Sequence, residues 1–153
     1  MDQAPRHAES PPALLWAMAL ASLAVFPIAA VIYCYGPAEL QASALSSLLT
    51  WSAIVLSFLG GVRWGLESRE PRPRAHRLFF SALSAVAGWV VLMARGRLDD
   101  GWILGAFLAA YMIQWLFDHQ TPDTPSRYPM LSTVLTGGAC VSLGLALEQA
   151  IHG

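Results

Sequence analysis

Uncharged, mainly apolar segments alternate with short charged links along the chain. Five segments contain no Asp, Glu, Lys or Arg, and they cover residues 13–35, 41–62, 78–94, 101–117 and 128–147. All 19 acidic and basic residues lie outside them. Because a helix needs about 20 apolar residues to cross the hydrocarbon core of a bilayer, the pattern predicts five transmembrane helices.

The segments are continuously apolar and lack the alternation of barrel strands, so we predict an all-α polytopic membrane helix bundle. The composition agrees, since only 12% of the residues are charged, about half the share found in soluble domains. We predict a single five-helix transmembrane domain over residues 13–150. A flexible cytoplasmic tail, residues 1–12, precedes it, and this tail lacks the basic start of a cleaved signal peptide.

The chain has nine arginines and no lysine. The distribution of the arginines predicts the orientation of the chain in the membrane. With five crossings, one side of the membrane holds Arg6, five arginines between residues 63 and 77, and Arg127, whereas the other side holds Arg95 and Arg97. The positive-inside rule then places the N-terminus inside and the C-terminus outside. We predict a multi-pass protein of the bacterial inner (cytoplasmic) membrane, or of the mitochondrial inner membrane if the chain is eukaryotic.

Residue types that hold cofactors are badly placed for that purpose. The four histidines, His7, His76, His119 and His152, lie in links or tails, so no pair brackets a haem within the bilayer. The chain has no phosphate-binding loop, dinucleotide fingerprint or zinc spacing. The basic link also lacks the length and aromatic residues of a nucleic-acid module. We therefore expect no cofactor, metal, nucleic-acid partner or catalytic residue, and we favour a non-enzymatic protein.

Small and hydroxyl residues recur on one face of the second segment. At 100° per residue, this polar face contains Ser43, Ser46, Ser47, Thr50, Ser57 and Gly61. Such residues let helices approach closely and form hydrogen bonds across the contact. We interpret the face as a helix-packing surface because no charge accompanies it. The alternative is the lining of a ligand site or solute path.

A second set of candidate residues lies at segment ends on the predicted inner side. The set comprises Gly60, Gly61, Arg63, Trp64, Asp118, Arg127 and Tyr128. Asp118 follows the fourth segment, where the helix dipole disfavours an acid, so it needs a basic partner. Arg63 and Arg127 are the candidates on the same side. The set forms either a structural clamp between helix ends, which we favour, or a ligand pocket.

These motifs also carry a family resemblance. The run from Ser57 to Gly65, Asp118, and the later Tyr128-Pro129, Leu131 and Leu135-Thr136 resemble an uncharacterised family of five-span bacterial membrane proteins. Its domain of unknown function is shared with mitochondrial transmembrane protein sixty-nine. The resemblance covers nearly the whole chain after residue 12 and implies five spans without implying a reaction. Family members often have a tryptophan before the tyrosine and an arginine soon after it, whereas this chain has Arg127 and Ser132 there.

Three functions fit these features. We favour a non-enzymatic accessory, assembly or stabilising component of a larger membrane complex, which contacts membrane lipids and either a partner protein or a second copy. The alternative is a protein, with or without enzymatic activity, that binds a lipid headgroup of the inner leaflet or a small anionic ligand through its arginine-rich link. A small transporter or channel ranks third, because Gln114 is the one strongly polar residue deep in a segment and no repeat is visible.

Overall fold

The chain folds into five α-helices in the computed structural model, which describes residues 13–120 and 128–152, with side chains over 17–120 and 132–152. The helices are α1 (Ala13–Tyr35), α2 (Ala38–Glu67), α3 (Ala75–Ala94), α4 (Asp100–His119) and α5 (Tyr128–His152). All five are long and apolar enough to cross a membrane. The predicted all-α bundle is therefore confirmed, whereas the predicted tail, residues 1–12, lies outside the described residues.

Helix α2 is longer than its uncharged segment. It has 30 residues, about 45 Å at the usual rise, and it extends from residue 41 back to Ala38 and from residue 62 on to Glu67. The predicted membrane span, residues 41–62, lies inside this helix, because charge ends an apolar segment without ending a helix. As a result, Arg63 and Glu67 project from the last turns of a regular helix that extends beyond the thickness of a hydrocarbon core.

Short connections make sequential helices antiparallel. The α3–α4 connection closes with a turn at Gly96, whose φ of 85° lies in the left-handed region that a glycine adopts without strain. Helices α2 and α4 consequently end where α3 and α5 begin. We call this the arginine-rich end, because it contains the five arginines between residues 63 and 77.

Helix α2 is the centre of the packing, since it contacts each of the other four helices. The other contacts join α1 to α5, α3 to α4 and α4 to α5. The core combines large apolar side chains with alanines, and the Phe26 and Tyr111 rings meet edge to face with centroids 6.2 Å apart. Many large apolar side chains on the outside of the bundle are exposed, as expected of a surface that faces lipid.

Glycines allow close helix contact at specific places. The Gly60 position lies against the Ser81 backbone carbonyl of α3, and the Gly138 position lies against the Leu23 side chain of α1. By contrast, a Cβ at Gly105 would meet no atom within 4 Å, although its spacing with Ala109 is typical of helix-packing motifs. Contact between helices is therefore closest at Gly60 and Gly138 among the described glycines, and it is also tight where Gly88 of α3 meets Ala53 of α2.

Candidate functional site

The structure brings together two of the candidate residues, Arg63 and Asp118, at the arginine-rich end. Arg63 Nη1 lies 2.9 Å from Asp118 Oδ1. Arg63 Nη2 also donates a hydrogen bond of 3.1 Å to the backbone carbonyl of Phe117. Because Arg63 belongs to α2 and the other two residues belong to α4, the guanidinium joins the ends of two helices that run in the same direction.

Asp118 has two further hydrogen-bond partners, Ser132 on α5 and Gln114 on its own helix, and Gln114 in turn contacts α3. The Ser132 hydroxyl of α5 donates to Asp118 Oδ2. Gln114 Nε2, one turn earlier on α4, lies 3.4 Å from Asp118 Oδ1, and the Ser84 hydroxyl of α3 donates to Gln114 Oε1. We call Arg63, Ser84, Gln114, Asp118 and Ser132 the Asp118 cluster, which connects α2, α3, α4 and α5.

The Asp118 cluster is enclosed by the bundle. The Asp118 side chain is 0% exposed and that of Arg63 is 12% exposed, while Ser84, Gln114 and Ser132 are all buried. Both carboxylate oxygens of Asp118 have donors, so its negative charge is compensated where water is excluded. A carboxylate held in this way is suited to joining helices, which favours the clamp interpretation over the ligand pocket.

The remaining candidates of this set have different surroundings. Trp64 is 47% exposed, and Gly61, also exposed, has open space where a Cβ would be. Gly60 is buried beneath α3. Arg127 lies outside the described residues, and Tyr128 begins α5 with a side chain that is likewise outside them.

The polar face of α2 is only partly covered within the described bundle. Ser43, Ser47 and Thr50 are exposed, whereas Ser46 and Ser57 are half-buried. The Ser43, Ser47 and Ser57 hydroxyls donate to carbonyls of their own helix. The face that packs against the other helices instead contains the buried leucines of α2, together with Ser52 and Gly60. The packing interpretation stays a prediction, and for the three exposed residues it requires a helix outside the described bundle.

Glu67 organises the arginine-rich link, a role that no sequence pattern predicted. Its Oε1 accepts the backbone N–H of Arg74 at 2.8 Å, and its Oε2 lies 3.3 Å from Arg77 Nη1. Glu67 is almost fully buried. These contacts tie the end of α2 to the beginning of α3 and fix the position of the Arg77 guanidinium.

Two further observations concern buried polar groups and metals. Thr136, one turn after Ser132 on α5, is a buried residue whose hydroxyl has no hydrogen-bond partner in the described part of the chain. Over residues 13–120 and 128–152, no three His, Cys, Asp or Glu residues come together in a way that could hold a metal ion.

A family model described as a protein of unknown function, DUF3429, matches residues 11–148. The chain belongs to the DUF3429 family. Every residue of the Asp118 cluster lies within the matched region. The DUF3429 match and the five apolar helices together identify a multi-pass membrane protein of unknown function.

The DUF3429 chain is also similar to Transmembrane protein 69 of Xenopus tropicalis. The two sequences are 30% identical over 111 residues, which is 68% of this chain and 42% of that relative. The chain therefore spans less than half of the relative's length, and the relative's name specifies no reaction. No solved structure gives a significant match.

Proposed function

We propose that this DUF3429 protein is a non-enzymatic accessory component of a larger membrane complex, and that it binds a transmembrane helix of a partner protein. The observation that carries the proposal is a groove of about 330 Å³ between α1 and α2. The groove is lined by Val25, Ile28, Ala29, Ile32, Leu40, Ser43, Ala44 and Ser47. Four of the eight lining residues are alanine or serine, and such small residues favour close approach of a further helix.

The composition of the groove supports a helix as its occupant. In lipid, apolar surface alone does not drive helices together, so association depends on close packing and on hydrogen bonds. Ala29, Ala44 and Ser47 leave space for a partner backbone. The exposed Ser43 and Ser47 hydroxyls donate to carbonyls of α2, and their oxygens can also accept hydrogen bonds from a partner helix. Lipid tails have no donor for such a bond. The buried leucines of α2, by contrast, already contact the protein's own core.

The substitution Ser47→Leu tests this proposal by filling the groove. We expect it to reduce partner capture at least tenfold while leaving the protein level and the gel-filtration profile unchanged, because Ser47 is exposed in the bundle. A photo-crosslinking residue placed at a neighbouring groove position, Ile28, should form a defined adduct in native membranes. Mass spectrometry of that adduct identifies the partner.

Ala85→Leu is the matched control, since Ala85 is a small exposed residue in the middle of α3 and away from the groove. It should retain the adduct formed from Ile28. Equal adduct yield from the wild-type and Ser47→Leu proteins would contradict the proposal. An adduct that contains two copies of this chain would identify the partner as a second copy.

The orientation is part of the same proposal. The arginine-rich end should face the cytoplasm of a bacterium, or the matrix if the protein is mitochondrial, because cytoplasmic loops carry excess Arg and Lys. In a bacterial host, alkaline phosphatase fused after residue 153, on the outer side, should be active. Alkaline phosphatase inserted in the link at residue 70, on the cytoplasmic side, should be inactive. Green fluorescent protein at the same two positions should give the opposite pattern, and equal signals at both would contradict the orientation.

A further inference from the structure

A small cavity lies at the arginine-rich end beside the Asp118 cluster, with a volume of about 200 Å³. It is lined by Arg63, His76, Arg77, Phe80, Phe117 and Gln120. His76 and Gln120 are exposed, so the cavity is accessible from outside the bundle. Pockets for drug-sized ligands begin at about 300 Å³, and this smaller cavity has the size for a small group such as an anion.

The two arginines that border the cavity are fixed by different helices. Arg63 on α2 is held by Asp118 and by the Phe117 carbonyl, both on α4. Arg77 on α3 is held by Glu67, which is itself fixed by the Arg74 backbone N–H. Neither acid lines the cavity. Two guanidinium groups are therefore positioned beside one cavity in advance of any ligand, and guanidinium geometry matches that of phosphate oxygens.

The charge around the cavity favours an anion. Among the described residues, the arginine-rich end contains five arginines and three acids, Glu67, Glu70 and Asp118, which leaves a net charge of +2 with histidine neutral. Exposed arginines of the link, such as Arg69 and Arg72, lie outside the cavity lining. They increase the local concentration of anions, whereas the cavity supplies the specific contacts.

One wall of the cavity is aromatic. Phe80 of α3 and Phe117 of α4 are stacked with ring centroids 4.6 Å apart, and Phe80 is 40% exposed. In such a site, the arginines suit a phosphate group. The phenyl rings suit the organic group to which the phosphate is joined as an ester. We propose that this cavity binds a phosphate group, carried either by an anionic phospholipid or by a soluble phosphate compound. This inference is independent of the groove between α1 and α2.

Thermal unfolding of the full-length protein in mild detergent tests the inference. The probes are dioctanoyl phosphatidic acid, dioctanoylglycerol, which lacks only the phosphate, and inorganic phosphate. We expect phosphatidic acid to raise the unfolding midpoint in a saturable manner and dioctanoylglycerol to leave it unchanged. Saturable stabilisation by phosphatidic acid alone indicates a lipid ligand, and equal stabilisation by inorganic phosphate indicates a soluble one.

Two variants with the same change of charge locate the site. His76→Glu places a carboxylate at the cavity from an exposed position and should weaken binding at least tenfold. Arg72→Gln removes one positive charge from the same link outside the cavity and should alter the affinity less than twofold. A double variant, Glu67→Gln with Arg77→Gln, removes a whole ion pair and should also weaken binding at least tenfold.

The inference is overturned if no phosphate-bearing probe stabilises the wild-type protein. It is also overturned if Arg72→Gln weakens binding as much as His76→Glu, because the arginines would then act only through general surface charge. The groove variant Ser47→Leu should bind the probes normally, so a failure here and a failure of the partner proposal are distinguishable.

Discussion

Replacing Arg63 with glutamine is expected to destabilise the protein more than replacing Asp118 with asparagine. Without Arg63, a carboxylate whose side chain is 0% exposed loses its cationic partner in a place that water does not reach. Removing one member of a buried ion pair costs about 3 kcal/mol or more of unfolding free energy. The hydrogen bond from Ser132 remains but supplies no positive charge.

Asp118→Asn is expected to cost less, about 1–2 kcal/mol, because the new amide keeps one oxygen that accepts a hydrogen bond. Arg63 also lies near the end of α2 and is 12% exposed. Its flexible stem lets the guanidinium move toward the headgroup region, where its charge is solvated. Asp118 is more deeply buried than Arg63. For that reason, the loss of unfolding free energy should be larger for Arg63→Gln than for Asp118→Asn.

Thermal unfolding in detergent and the steady-state level in membranes measure this difference. The neutral double variant, Arg63→Gln with Asp118→Asn, should be more stable than Arg63→Gln alone, since it leaves no buried charge without a partner. Arg72→Gln, at an exposed arginine, serves as the control and should change the unfolding free energy by less than about 0.5 kcal/mol. If Arg63→Gln accumulates normally and yet abolishes a cellular phenotype, the ligand-pocket interpretation replaces the clamp.

The pairing of Arg63 with Asp118 was predictable from the sequence because it depends on strong and long-range physical constraints. Charge is excluded from the hydrocarbon core, so the uncharged segments locate the membrane crossings. The number of crossings then places the end of α2 and the end of α4 on one side. An acid at a helix C-terminus needs a cation, and the sequence analysis left two candidates on that side, Arg63 and Arg127.

The other members of the Asp118 cluster could not be predicted in this way. Gln114 was visible as a polar residue deep in a segment, but serine is common in transmembrane helices, so Ser84 and Ser132 carried no distinguishing signal. Ser132 lies where the chain departs from the family resemblance, and that departure was the available indication. Glu67 was overlooked because a charged residue after an apolar segment was interpreted as part of a link.

The exposure of part of the polar face of α2 could not be predicted for a related reason. Stepping 100° per residue shows which residues share a face, but it does not show whether that face points inward. In a soluble helix, the apolar face identifies the core. In a bilayer, lipid and core are both apolar, so hydrophobicity does not distinguish them. Ser47 and Ser52 illustrate the ambiguity, since both are serines of α2 and only Ser52 is buried.

Three glycine-to-alanine substitutions are expected to give a graded loss of stability that maps the contact between α2 and α3. Gly60→Ala should be the most damaging, because its Cβ would overlap the Ser81 backbone carbonyl and lie 2.9 Å from Ser84 Cβ. A backbone atom cannot rotate away, so α3 has to shift. Overpacking of this kind costs about 1–3 kcal/mol.

The neighbouring Gly61 provides the matched control. A Cβ there meets no atom within 4 Å, and alanine favours the helix more than glycine does. Gly61→Ala should therefore be neutral or slightly stabilising. Gly88→Ala should be intermediate, because its Cβ would lie 3.3 Å from Ala53 Cα, a tight contact that a small adjustment relieves.

The unfolding midpoints of the purified proteins in detergent should follow the order Gly61→Ala, Gly88→Ala, Gly60→Ala, from most to least stable. The damage at Gly60 should also reach the Asp118 cluster, because Ser84, which donates to Gln114, lies on the part of α3 that has to move. Combining Gly60→Ala with Ser84→Ala should therefore cost less than the sum of the two single substitutions. Equal midpoints for Gly60→Ala and Gly61→Ala would show that α3 does not lie against this face of α2, and the placement of Ser84 beside Gln114 would then be wrong as well.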